Sequence, residues 1–188
     1  MNTMRSDFPQ KTKDFFKRME NYLDTELIYY GSVNRPDYVH DKSDIDVAIF
    51  TDNEYSIMAK LQHFLHVKHN AFDKLIWKLK GKMLYGYKIK CEKYIDIKCE
   101  IAIYNNEYKD VLLPEIKQYN SVPPLVAFLL FILKTMHYTF PIISQSDYAI
   151  YKRYVFNVIM LNKKDTVFLL LKQTWFKDIL SLLLYILL

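Results

Sequence analysis

Tyr29-Tyr30-Gly31-Ser32 and Ser43-Asp44-Ile45-Asp46-Val47 are the two stretches that decide the fold of this chain. The apolar residues before Gly31 are typical of a buried strand that ends in a tight turn. In the second stretch, the side-chain period of a strand places Asp44 and Asp46 on one face and the apolar residues on the other. The sequence therefore predicts one strand that ends at a Gly-Ser turn and another that carries two carboxylates.

The turn and the paired carboxylates suit the binding of a metal ion and of phosphate groups. Gly31 lets the backbone approach a ligand closely, and Ser32 adds a hydroxyl beside the N–H groups of the turn. Asp44 and Asp46 repel each other and gain nothing from burial, so a cation between them explains their pairing. Oxygen ligands of this kind favour Mg²⁺ or Mn²⁺. These residues predict a site for a divalent metal and a triphosphate.

A third carboxylate lies further along the chain. From Tyr94 to Tyr104, apolar residues alternate with Asp96, Lys98 and Glu100, which predicts a half-buried strand with one polar face. Glu100 replaces Asp96 at the site if the strand register differs, although its distance along the strand makes it the poorer candidate. Lys98 and Lys42 are candidate phosphate contacts or, equally, salt-bridge partners of the carboxylates.

These stretches together resemble the DNA polymerase beta-like nucleotidyltransferase superfamily. The pattern of that superfamily is an apolar strand, a Gly-Ser or Gly-Gly turn, a loop, two carboxylates at alternate strand positions and a later lone Asp between apolar residues. The chain has these parts in order, as Gly31-Ser32, Asp44-Ile45-Asp46-Val47 and Ile95-Asp96-Ile97. The resemblance covers about residues 26 to 104 and implies a nucleotidyltransferase fold, a small mixed β-sheet flanked by helices.

The resemblance also implies an activity and roles for the site residues. Asp44 and Asp46 would hold two Mg²⁺ or Mn²⁺ ions, and Asp96 would bind the catalytic metal and help to deprotonate the attacking hydroxyl. The reaction would move a nucleoside monophosphate from a triphosphate such as ATP to RNA, a protein or a small molecule. Arg35 falls where many members carry an arginine that contacts the nucleotide phosphates. Pro36 departs from the family pattern, and it limits any helix before it to about one turn.

The rest of the chain predicts an α+β protein with a helical C-terminal region. Residues 1–105 are expected to form the catalytic domain and residues 106–188 a helical subdomain that closes one side of the nucleotide cleft. The periodicity predicts helices over residues 7–25, 54–69, 125–137, 146–161 and 165–188, and strands over residues 85–92 and 94–104.

Composition is typical of a globular intracellular protein, here expected in the cytoplasm. Of 188 residues, 51% are hydrophobic and 25% charged, which suffices for one core. Met1 to Lys13 lacks the apolar segment of a secretory signal, and Cys91 and Cys99 are expected to be reduced core residues. Leu125–Leu133 and Ile179–Leu188 are too short to span a membrane. The second of these segments predicts a helix that packs on the core, on a second copy of the chain or on a partner protein, with contact to lipid as the weaker alternative.

Other polar groups admit more than one interpretation. The net charge of +5 is compatible with an RNA or DNA acceptor. The basic, aromatic segment from Phe72 to Lys82 predicts the end of an amphipathic helix more readily than a surface for nucleic acid. His63, His66 and His69 are expected to be surface residues rather than metal ligands. Three hypotheses remain, namely an active nucleotidyltransferase, a catalytically weak regulatory or binding module of the same fold, and a nucleic-acid-binding domain without chemistry.

Overall fold

A mixed sheet of six strands forms the centre of the protein. The computed structural model describes residues 4–79, 81–93, 95–156 and 167–171. The strands are β1 (Ile28–Tyr30), β2 (Ile45–Thr51), β3 (Asp73–Leu79), β4 (Lys82–Lys90), β5 (Cys99–Asn105) and β6 (Val167–Leu171). Their order is β1-β2-β5-β4-β3-β6. Strands β2 and β5 are parallel, and the other neighbouring pairs are antiparallel.

Helices flank the sheet and follow it. They are α1 (Gln10–Leu23), α2 (Glu54–Leu65), α3 (Lys109–Lys117), α4 (Pro124–Tyr138) and α5 (Gln145–Tyr154). The side chain of Asn53 accepts a hydrogen bond from the N–H of Ser56, so it caps the N-terminus of α2. Pro124 opens α4, where its missing N–H costs nothing. The α+β class, with a mixed sheet, flanking helices and later helices α4 and α5, is confirmed.

Strand β2 is buried on both of its faces, and Asp46 lies at the end of one of them. Ile45, Val47 and Ile49 pack in one core cluster together with buried residues of α1 and α2. Ala48 and Phe50 belong to a second cluster, which includes residues of α3. Asp46 shares the face of this second cluster because strand side chains alternate. The two apolar clusters therefore hold β2 from both sides and leave Asp46 at its N-terminal end.

Three elements differ from the expectation. Strand β5 begins at Cys99 rather than at Tyr94, and the chain before it forms a short 3₁₀ turn and a bend. The basic, aromatic segment is strand β3 and the turn after it, since pairing with β4 along its whole length outweighs the helical pattern. Val167–Leu171 is a strand paired with β3, whereas a helix was predicted there.

Some of the predicted helical segments lie partly or wholly in residues that the structure does not describe. They include residues 157–161 of one predicted helix and the apolar segment 179–188. Within the described ranges, no helix has the length and apolar character needed to cross a bilayer. The division into domains at residue 105 stays a prediction.

Candidate active site

The Gly31-Ser32 turn connects β1 to the loop that leads to β2. It is a single 3₁₀ turn from Gly31 to Asn34, and it ends at Arg35, whose backbone is extended. An extended conformation is expected before Pro36, because the proline ring disfavours helical geometry at the preceding residue. Gly31 has a φ of 74°, in the region that favours glycine. The predicted limit of about one helical turn is confirmed.

Asp46 lies directly against this turn. A Cβ atom at Gly31 would stand 2.7 Å from Asp46 Oδ2, so only glycine lets the turn approach the carboxylate so closely. The N–H of Gly31 donates to Asn120 Oδ1 at 2.8 Å, and Asn120 belongs to a short 3₁₀ turn shortly before α4. Ser32 is buried in the same turn. The turn, a strand carboxylate and the chain before α4 therefore meet at one place.

Replacing Gly31 with Ala is expected to displace Asp46 as well as to strain the backbone. Gly81 provides a matched control, since its φ of 77° is nearly the same but a Cβ there meets no atom within 4 Å. Backbone strain alone costs about 1 kcal/mol at either position. We expect Gly31→Ala to lose more free energy of unfolding than Gly81→Ala in urea denaturation, because the added methyl group pushes the Asp46 carboxylate out of its position. Equal losses would contradict the close contact.

Asp44 and Asp46 occupy an unfavourable electrostatic environment. Burial and the negative charge of Glu100 raise the pKa of Asp44, and the same causes raise the pKa of Asp46 to about 7. Among the residues described, no hydrogen bond or ion pair holds either carboxylate. A divalent cation would offset both the desolvation and the repulsion, and carboxylate oxygens suit Mg²⁺ or Mn²⁺. The chemistry of these donors thus fits such an ion.

Glu100 is the carboxylate next to Asp46 in the sheet, because the two residues are register partners in the parallel β2–β5 pair. Lys90 Nζ lies 2.7 Å from Glu100 Oε1, and Lys88 forms an ion pair with Oε2. Burial opposes ionisation of Glu100, but the two lysines outweigh it and lower its pKa. Within the part of the chain that the structure describes, no three or more His, Cys, Asp or Glu side chains are close enough together to form a metal-binding cluster.

Asp96 and Lys98 lie away from this arrangement. Asp96 sits in the bend before β5, with its side chain 97% exposed and 3.3 Å from Lys11 Nζ. Both residues line a cavity of about 410 Å³ beside the start of α1. That cavity is also lined by Ile45, which points away from the face of Asp46. The structure brings Asp44 and Asp46 together with Glu100, and it places Asp96 and Lys98 elsewhere.

Arg35 takes part in a buried ion cluster formed with Asp37 and Lys134. Arg35 is 2% exposed, and its Nε and Nη2 donate to the two carboxylate oxygens of Asp37 at 2.7 and 3.1 Å. Lys134 Nζ of α4 donates to the carbonyl oxygen of Asp37 at 2.6 Å and to Ser43 Oγ at 3.1 Å, and lies 3.0 Å from Asp37 Oδ2. This cluster attaches the loop that ends at Asp44 to α4.

Two more lysines show that the later helices lie near the carboxylates. Lys42 Nζ donates to the carbonyl oxygen of Tyr138 at 3.3 Å. The positive charge of Lys152, on α5, opposes the rise in pKa of both Asp44 and Asp46. Sequence reasoning missed Lys152, and no local signal marks it, because its position depends on how α5 packs. Helices α4 and α5 therefore border the carboxylates.

The family model of the nucleotidyltransferase domain matches residues 9–121, more than half of the chain. The chain therefore belongs to the nucleotidyltransferase domain family, whose members are transferases. A comparison with curated proteins found no match.

A comparison with solved structures found similarity to the Cid1 poly(U) polymerase with MgGTP bound. The sequence identity is 15% and the TM-score 0.38, over 68% of this chain and 40% of that chain.

Proposed function

We propose that this chain is a metal-dependent nucleotidyltransferase that moves a nucleoside monophosphate from a triphosphate to a hydroxyl group of RNA, a protein or a small molecule. The observation that carries the proposal is Asp46, held against the Gly31 turn with a pKa raised to about 7. A carboxylate in this environment is costly to ionise unless a cation accompanies it. The adjacent turn is suited to the phosphates of the donor.

In this proposal, the carboxylates bind the metal ions, and a serine and a lysine bind the phosphates of the donor. Asp44 and Asp46 would hold Mg²⁺ or Mn²⁺ ions, with Glu100 as the third carboxylate because of its register with Asp46. Two such ions, when bound, stabilise the entering and leaving oxygens of the transfer. Ser32 and Lys152 would contact the phosphates.

The sequence-based candidates for phosphate binding receive different roles in this proposal. Arg35 would act indirectly, by holding the loop before Asp44 through the buried ion cluster. Lys42 would close the cleft through its contact with α4. Asp96 stays the alternative third carboxylate that the resemblance implies, and Lys98 stays an alternative phosphate contact or salt-bridge partner predicted from the sequence.

The matched pair Glu100→Gln and Asp96→Asn decides which residue is the third carboxylate. Each variant replaces a carboxylate with an amide of the same shape, and transfer from labelled nucleoside triphosphates, ATP first, is measured with Mg²⁺ or Mn²⁺ on RNA, single-stranded DNA and the protein itself. We expect Glu100→Gln to lose on the order of 10²-fold or more in rate, and Asp96→Asn to change the rate little, since its side chain is 97% exposed. The reverse order would return the role to Asp96.

A second candidate function is a catalytically weak regulatory or binding module of the same fold. Its support is the state of Glu100, which Lys88 and Lys90 already neutralise. In that case the wild-type protein binds nucleotide in a metal-dependent way but transfers no label to any acceptor. A partner bound through the apolar segment 179–188, a homo-oligomer and a cytoplasmic location stay predictions from the sequence.

A further inference from the structure

Strands β3 and β4 carry a second polar surface on the side of the sheet that faces away from Glu100. Lys88 and Lys90 point toward Glu100, so the alternation along β4 directs Tyr85 and Tyr87 to the opposite side. In the antiparallel register these two tyrosines stand opposite residues of β3, which are Ile76 and Lys74. The surface is therefore separate from the candidate active site.

Three tyrosines and two lysines form this surface, which we call the tyrosine–lysine face: Tyr55, Tyr85, Tyr87, Lys74 and Lys78. Tyr55 belongs to α2 and is 65% exposed, while Tyr85 is 54% exposed. The Tyr87 hydroxyl donates to the Tyr55 hydroxyl at 3.0 Å, and the two rings are tilted with centroids 5.8 Å apart. Four of these residues, all but Lys78, line a groove of about 460 Å³.

The strands beneath the tyrosine–lysine face are held in place from behind. Gly86 lies between Tyr85 and Tyr87, and a side chain at its position would lie on the other side of the sheet. A Cβ there would lie 2.6 Å from the Ile103 carbonyl oxygen and from the Tyr104 ring, so that ring packs directly on the glycine. Tyr104 is in turn held by the indole N–H of Trp77 at 3.1 Å. The strand that carries Tyr85 and Tyr87 is therefore closely packed from behind, and a backbone held in this way lowers the entropic cost of binding a ligand.

The charge and spacing of the face indicate its ligand. Lys74 and Lys78 are exposed on β3, and Glu54 is the acidic residue among those lining the groove. Residues two apart on a strand are about 6.6 Å apart, so Tyr85 and Tyr87 present rings in a row with cations beside them. A basic surface that carries exposed aromatic rings is the arrangement on which single strands stack their bases and place their phosphates.

We propose that the tyrosine–lysine face binds single-stranded nucleic acid, with bases against Tyr85 and the Tyr55–Tyr87 pair and phosphates beside Lys74 and Lys78. In the sequence, a nucleic-acid surface on the segment from Phe72 to Lys82 was the weaker alternative, and it depended on Phe72 and Trp77. The structure instead buries Phe72 and engages Trp77 with Tyr104, and it presents tyrosines from β4 and α2 next to the β3 lysines. Because this binding requires no chemistry, it stands apart from the proposed function.

The test is fluorescence anisotropy of the full chain with labelled 12-nucleotide RNA and DNA of mixed sequence, in EDTA and without nucleotide. We expect Tyr85→Leu to weaken binding about 5- to 100-fold and Tyr85→Phe to retain it, because stacking needs the ring and not the hydroxyl. The double substitution Lys74→Ala/Lys78→Ala should reduce the slope of log K against log salt by about 1.4. The RNA and DNA arms show whether the 2′-hydroxyl contributes.

The matched control removes the same charge from another exposed surface, through Lys17→Ala/Arg18→Ala on α1. Retained binding in this control, with loss in the lysine variant of the face, supports the proposal. Crosslinking of wild-type protein to bromouridine RNA adds a readout that needs no variant, and the labelled peptides should contain Tyr55 or fall within residues 74–87. Absence of binding at low salt, equal losses in both lysine variants, or crosslinks confined to other peptides would overturn it.

Discussion

Asp46→Asn is expected to slow nucleotidyl transfer strongly and to stabilise the metal-free protein above pH 7. The pKa of Asp46 is raised from its ordinary value of 3.8 to about 7, first by burial and then by Glu100. The folded state therefore holds a proton on Asp46 between about pH 4 and pH 7, where the unfolded state has released it. Stability falls as the pH rises through this window, and above pH 7 the ionised group costs up to about 4 kcal/mol. Asparagine carries no such cost.

Urea denaturation in EDTA at pH 5 and pH 8 measures this effect. We expect Asp46→Asn to exceed the wild type by about 2 kcal/mol or more at pH 8 and by less at pH 5. The rate of transfer should fall on the order of 10³-fold, because a ligand of the proposed metal site is lost. Asp14→Asn, which removes an exposed carboxylate from α1, serves as control and should show neither change. A variant less stable than the wild type at pH 8 would contradict the raised pKa.

The same raised pKa makes metal binding depend on pH. Protons and cations compete for Asp46, so binding of Mn²⁺ should release a proton below pH 7 and tighten as the pH rises to about that value. The stabilisation of wild-type protein by Mn²⁺ should accordingly be larger at pH 8 than at pH 6, and Asp46→Asn should lose most of it. This readout does not require the chain to be an active enzyme.

Asp37→Ala is expected to be the most destabilising single change in the loop between β1 and β2. Asp37 is 2% exposed and is the anion between the cations of Arg35 and Lys134. Its removal leaves two buried positive charges without their carboxylate, which costs about 3 to 5 kcal/mol. The loop before Asp44 would lose its attachment to α4 as well, so transfer should fall together with stability.

Lys134→Met provides the matched comparison, since it leaves the pair of Arg35 and Asp37 intact. We expect it to cost clearly less than Asp37→Ala in urea denaturation, because no buried charge is left alone. Asp96→Ala, which breaks an exposed ion pair with Lys11, should change stability little. If Lys134→Met proved as costly as Asp37→Ala, the cluster would not act as two cations sharing one anion.

Local patterns in the sequence specified the parts of the site that depend on neighbouring residues. The alternation around Asp44 and Asp46 identified the strand and the face that carries Asp46, and the apolar run before Gly31 identified the turn. Pro36 correctly limited the helical turn before it. Each of these features follows from steric rules within a few residues, such as strand periodicity and the restricted backbone before proline.

Only the tertiary structure decided which residues accompany those carboxylates. Glu100 stands beside Asp46 because β2 and β5 pair in parallel in one register, and a strand that began at Tyr94 would have favoured Asp96. Lys134 reaches Asp37 from 97 positions along the chain. The tyrosine–lysine face likewise arises from the pairing of β3 with β4 and from α2. Side-chain periodicity is local, whereas strand register and helix packing depend on burying apolar surface across the whole chain, which no single stretch encodes.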